Sequence, residues 1–145
     1  MPDGEGVGGA GSGAGAVTEA LRLTTAQAVL AASPTGGLGY ITALSVGGTV
    51  TQATSRTTAV TLNKLAGDIT LFTATGSATK TSFTVNNSTF AATDIVIINQ
   101  KSGSDKYSID ITAKAAGSFV VTFTTDGTAS EVVVFSYAVI KSTIN

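Results

Sequence analysis

From about Ile41 onward, apolar and polar residues alternate in short blocks, and the blocks read as β-strands. Tyr107 to Ala115 carries the cleanest alternation: Tyr107, Ile109, Ile111 and Ala113 are predicted to face inward, and Ser108, Asp110, Thr112 and Lys114 outward. Thr81 to Asn86 places Phe83 and Val85 on one face, and Ser118 to Thr125 does the same with Phe119, Val121 and Phe123. In Ala59 to Leu65, Val60 and Leu62 alternate with Thr61 and Asn63, and Asp68 to Thr73 follows after Ala66-Gly67. The run DIVIIN, Asp94 to Asn99, is apolar on both faces and predicts a central strand buried on both sides. A long run from Glu131 to Lys141, EVVVFSYAVIK, closes the series.

The connections carry turn chemistry. KSGSD at 101–105, AAG at 115–117 and TDGTAS at 125–130 each offer Gly or Asp-Gly for left-handed positions. Strands recurring every 10 to 13 residues or so, with no helix between them, predict an all-β domain. The expected form is an antiparallel β-sandwich or jelly-roll-like domain spanning residues 41–145.

Two different segments precede it. Residues 1–16 include seven glycines and are too poor in apolar side chains to offset their ordering entropy, which predicts a flexible arm. The spacing Gly6-x-Gly8-x-x-Gly11 has no strand before it, as a dinucleotide fingerprint requires. Residues 17–40 are a short helix and connector: Thr24-x-x-Gln27 fits a capping box, Ala26 to Ala32 favours helix, and Ser33-Pro34 stops it. A helix of about two turns does not stand alone in water, so it must dock on the domain or on a neighbouring chain. Leu30 on that helix, with Leu38 and Tyr40 in the connector, are the candidate contact residues.

Composition narrows the chemistry. Aromatic residues are 6% and charged residues 12% of the 145, while Ser and Thr make up roughly a quarter. Such a surface is coated with threonine rather than ions, as suits a protein packed among neighbours. The net charge is −1, and the eight basic residues are scattered, so nucleic acid is not an expected partner. With no cysteine and no histidine, thiolate catalysis, Ser-His-Asp chemistry and His-based zinc binding lack their residues. The carboxylates Asp68, Asp94, Asp105, Asp110, Asp126 and Glu131 show no telling paired spacing, so no catalytic, cofactor or metal residue is assigned and an enzyme is not expected. Asn86-Asn87-Ser88 and Asn87-Ser88-Thr89 match a glycosylation pattern but read as a polar turn. No apolar run reaches membrane-span length, and the N-terminus lacks secretory features, which predicts synthesis in a cytoplasm.

Arg56 stands among Ser55, Thr57 and Thr58. The run reads either as a solvated strand edge or loop, or as a contact in which the planar guanidinium pairs across a subunit interface.

The stretch Gly39 to Asn145 resembles a family of small virion proteins of tailed bacteriophages and prophages. The residues that carry the likeness are Gly39-Tyr40, the run Gly47-Gly48-Thr49-Val50-Thr51-Gln52-Ala53-Thr54-Ser55-Arg56-Thr57-Thr58, and Val60-Thr61-Leu62-Asn63-Lys64-Leu65-x-Gly67-x-Ile69-Thr70. Phe83-Thr84-Val85-x-Asn87-Ser88, Ala92-Thr93-Asp94, Ala115-Ala116-Gly117-Ser118-Phe119 and Ala138-Val139-Ile140-Lys141 extend it over roughly three quarters of the chain. The family has no catalytic motif to carry over.

The resemblance implies a virion component. The expected role is a capsid decoration (cement) protein on the capsid surface, a homotrimer whose arm and helix reach across the major capsid protein. The alternative is a tail-fibre, tail-tip or head-fibre module that binds the host surface, which the shortage of aromatics and the absence of Trp disfavour.

Overall fold

A computed structural model of the chain describes residues 47–142. The expected arm (1–16), helix and connector (17–40), with Leu30, Leu38 and Tyr40, lie outside the described residues.

The described residues form ten strands: β1 (Gly47–Thr51), β2 (Val60–Thr61), β3 (Ala66–Thr70), β4 (Ala74–Thr75), β5 (Thr81–Asn86), β6 (Ile95–Ser102), β7 (Tyr107–Ala115), β8 (Ser118–Thr125), β9 (Ser130–Glu131) and β10 (Val134–Ile140). They build one four-stranded sheet in the order β1-β3-β10-β6, a second in the order β2-β5-β8-β7, and a small β4-β9 pair. The described residues contain no helix. The domain is all-β and sandwich-like, and its sheets are mixed: β1 pairs β3 and β2 pairs β5 in parallel, where a purely antiparallel arrangement was expected.

The parallel pairs arise because the chain changes sheet twice in quick succession. It leaves β1 in the first sheet, crosses through residues 52–59 to β2 in the second, and returns through 62–65 to β3 beside β1. The return places the Leu62 side chain over the β1–β3 pair, where Gly48 and Gly67 stand opposite one another. A Cβ on Gly67 would lie 2.6 Å from both the Gly48 carbonyl oxygen and Leu62 Cδ2, so this crossing needs bare backbone.

The two large sheets face each other across an aromatic core. Phe123 of β8 meets Phe135 of β10 with ring centroids 5.4 Å apart, and Phe119 meets Tyr137 at 5.5 Å, both edge-on. Edge-to-face geometry suits the ring quadrupoles and adds to the burial of Ile69, Leu71, Val85, Val121, Val133 and Val139 around them. Val60 and Leu62 are buried while Thr61 and Asn63 are exposed, as their alternation predicts, although the regular strand spans only Val60–Thr61.

Two expectations about strand faces are corrected. β6 is an edge strand, not a central one: Ile95 and Ile97 point outward, about half exposed, while Val96 and Ile98 lean on the core. In β7 the alternation holds from Tyr107 to Ile111 and then breaks. A bulge at Thr112 shifts the register, so Ala113 pairs with Val120 and Lys114 with Phe119, and Ala113 is exposed instead of inward. Of the expected turns, Gly103 (φ 117°) and Gly117 (φ 81°) are left-handed, whereas Gly127 is held by close approach of the Asp105 carboxylate.

Candidate functional site

Polar side chains gather at the two poles of the sandwich. At the first pole the 52–59 crossing has no regular strand to satisfy its backbone, so side chains do it. Gln52, 2% exposed, donates from Nε2 to the carbonyls of Arg56 (3.1 Å) and Thr58 (2.9 Å), and its Oε1 accepts from the Phe72 amide at 3.1 Å. This ties the crossing to the chain just beyond β3.

Arg56 then turns inward. It is 8% exposed, with Nε donating to the Phe72 carbonyl (3.1 Å), Nη1 to the Tyr107 hydroxyl (2.9 Å) and Nη2 to the Glu131 carbonyl (3.2 Å). Its guanidinium carbon also stands 5.6 Å from the Tyr107 ring centroid. One planar fork thus joins three segments that are far apart in sequence. Within its own chain the group is an internal brace rather than a solvated edge or loop residue. Burial pushes the Tyr107 phenol up, with the Arg56 charge and hydrogen bond opposing.

The turns beside it clasp each other. The Glu131 carboxylate accepts from the Ser104 amide (2.5 Å) and hydroxyl (2.7 Å) and from the Asp105 amide (3.1 Å). The Ser104 bonds, chiefly the backbone one, hold its carboxyl below the usual range. Asp105 in turn accepts from the Ala129 amide at 2.8 Å, and Asp126 from the Lys106 amide at 3.1 Å. Gln100 closes the group, donating to the Asp105 carbonyl at 2.7 Å and accepting from the Tyr107 amide at 3.0 Å.

The second pole is built on two fully buried polar residues, Asn87 and Asp94. Asn87 donates to the Lys64 carbonyl at 2.7 Å and accepts from the Thr89 amide (3.0 Å) and hydroxyl (2.7 Å). The Asn-x-Thr spacing that resembles a glycosylation acceptor is here an Asx turn with its side chain buried. The Tyr137 hydroxyl lies 2.9 Å from the Lys64 carbonyl, and burial pushes its phenol up to about 12 against the opposing Asn87 bond. Asp94 accepts from the Lys141 ammonium (2.5 Å) and from the amides of Ala91 (2.8 Å) and Ser142 (3.2 Å). Burial disfavours its charge most, but the Lys141 and backbone bonds together prevail and hold its carboxyl low.

The carboxylates at both poles therefore accept from amides and ammonium groups of their own chain. Asp68, on the outer face of the first sheet, does likewise with Lys101 and Ser136, and the Lys101 bond leads in holding its carboxyl low. Among the described residues no group of three or more acidic side chains is placed to hold a metal ion, and every buried side-chain polar atom has a hydrogen-bond partner. Arrangements of this kind fix loops and strand ends; chemically they position backbone.

The sequence reading assigned no role to Gln52, Asn87 or Asp94. The signal available for them was weak: polar residues inside the most recognisable runs, Gln52 four positions before Arg56 and Asn87 two before Thr89. The outer face of the first sheet differs from both poles. Ile95, Ile97 and Ile140 are exposed there, and Ala138 and Ala66 continue the patch across the sheet. No family model, curated protein or solved structure matches the chain.

Proposed function

We propose that this chain is a structural virion protein of a tailed bacteriophage, a capsid decoration (cement) protein that stabilises the head by bridging subunits of the major capsid protein. The observation that carries the reading is the family resemblance over Gly39 to Asn145. The use the fold makes of those same residues is in keeping with it. Gly48 and Gly67 permit the Leu62 crossing, Arg56 braces one pole, and Asn87, Asp94 and Lys141 brace the other. The resembling runs thus specify a scaffold, as a domain whose work is contact requires.

The domain sits on the capsid surface as a homotrimer, and the glycine-rich residues 1–16 reach toward neighbouring subunits. Each contact is weak, and attachment comes from many of them acting together. Strand edges such as β6, on a chain with few charges to block pairing, give further contact.

The test is the copy number in purified virions, measured by gel densitometry against the major capsid protein. Cement predicts on the order of hundreds of copies per particle, as lattice-wide multivalent attachment requires. A number confined to the few sites of a tail tip or fibre set would refute the capsid role and favour a host-binding module.

A further inference from the structure

We propose that the outer face of the β1-β3-β10-β6 sheet is a contact surface for a second copy of this chain, packed face to face about a two-fold axis that runs along the strands between β3 and β10. This goes beyond the virion reading and does not depend on it, since a two-fold contact through one face leaves the rest of the surface to any three-fold contact.

The apolar exposure of the domain is concentrated on this one face. Among the described residues the exposed large apolar side chains are Phe72, Ile95, Ile97, Val132 and Ile140. The three isoleucines lie at one end, on β6 and β10. Phe72 follows β3 and Val132 precedes β10, side by side at the other end, where the Leu71 amide donates to the Val133 carbonyl. None of the five lies on the second sheet, whose outer face carries the hydroxyls of Ser82, Thr122 and Thr112 in a hydrogen-bonded row. Single exposed apolar residues are ordinary, but five gathered on one face mark a contact surface.

The profile of the face fits a copy of itself. Along one row the side chains fall in size from Ile97 through Ala138 and Ala66 to Gly47. An axis between β10 and β3 reverses that row, so Ile97 of each copy rests over Gly47 of the other, and Ala138 over Ala66. The same axis lays Phe72 of each copy over Val132 of the other. Sheets stacked in this way keep their strands roughly aligned and ~10 Å apart, as in an ordinary sandwich.

The charges agree with the same axis. Asp68 and Lys101 are the charged residues of these four strands. The Lys101 ammonium reaches over β10 to the Asp68 carboxylate on β3, so the pair straddles the axis. The two-fold therefore sets the carboxylate of each copy against the ammonium of the other, whereas a single unbalanced charge there would repel its copy.

The area fixes the strength. Four strands ~4.8 Å apart, crossed by five residues of ~3.3 Å each, cover ~19 Å by ~17 Å, or ~320 Å² in plan on each copy. Such a contact belongs to the small class below ~1,200 Å² in total, which predicts association at ~100 µM rather than at nanomolar concentration.

Sedimentation velocity of the full-length chain from ~10 µM to ~1 mM reads the contact as a step that doubles the mass of the sedimenting species. Asp68→Lys makes the central charges all positive, and Lys101→Asp makes them all negative. Each variant alone should associate roughly tenfold more weakly than the parent, and an equimolar mixture of the two should restore the step. Mixing rescues neither a folding defect nor a contact through another face. Absence of mass doubling in the parent up to ~1 mM would overturn the proposal, as would a mixture no stronger than its components. Ile97→Glu should abolish the step, while Ser108→Glu, on the outer face of the second sheet, should leave it intact. Equal effects of these two substitutions would also overturn it.

Discussion

Replacing Arg56 by Met tests the internal brace most directly. Met keeps most of the aliphatic stem and removes the guanidinium, so the change isolates the polar bonds from the packing. Three acceptors lose their donor: the Phe72 and Glu131 carbonyls and the Tyr107 hydroxyl. At about 1 kcal/mol net for each bond, and about 0.5–1 kcal/mol for the contact with the Tyr107 ring, the expected loss is about 3–4 kcal/mol. A domain of this size has about 5–15 kcal/mol in total, so the loss is a large share.

Urea unfolding followed by circular dichroism reads it. With a slope of about 1–1.5 kcal/mol per molar, the midpoint should fall by about 2 M or more with the slope unchanged. Arg56→Lys should recover only part of the loss, because one ammonium cannot span three acceptors held in a planar fork. An Arg56→Met variant within about 0.5 kcal/mol of the parent, the range of an ordinary surface substitution, would refute the brace.

Two further perturbations address the other structural features. Asp94→Asn should cost about 1.5–3 kcal/mol near neutral pH, because the amide cannot replace a charged acceptor of one ammonium and two backbone amides. Since the folded carboxyl lies below its ordinary value, its contribution is present above that value and is lost as pH falls through the folded one. Thermal unfolding from pH 7 to pH 2 should therefore show the two proteins apart above about pH 5 and converging below about pH 4; a gap independent of pH would count against the charge. Gly67→Ala should destabilise by about 1–3 kcal/mol in the same urea assay, because the new methyl must displace the Gly48 carbonyl and Leu62. An unaltered midpoint would mean that the β1–β3 crossing is not closely packed.

Where alternation is regular, the strand and its inward face can be read from the chain. β5 and β8 span the residues that Phe83-x-Val85 and Phe119-x-Val121-x-Phe123 mark, because an inward side every second residue leaves one register. β6 was misread because a strand apolar on both faces implies two coverings without saying who provides the second. The bulge at Thr112 is equally silent, since nothing in Thr-Ala-Lys distinguishes an extra residue from continued alternation. The poles were least legible. Arg56 reaches partners 16, 51 and 75 positions away, and no local pattern records contacts at such separations. From sequence Asn87 reads as part of a polar turn and Asp94 as the start of a strand; only the packing of Tyr137 and Lys141 against them makes their burial apparent.

The two ends of the described domain leave from one pole. Gly47 opens β1 at the end of the sheet where Ile140 closes β10, and both strands flank β3. A mechanical load drawn through both ends therefore does not shear the sheet along its strands. It peels β1 and β10 from that pole inward, so the backbone bonds part a few at a time. Load carried instead between one end and the opposite pole runs lengthwise along the strands and engages the bonds of a pair together. The resistance of these strands is thus directional: it is strongest when Gly47 or Ile140 and the loop cluster around Arg56 are the two points held.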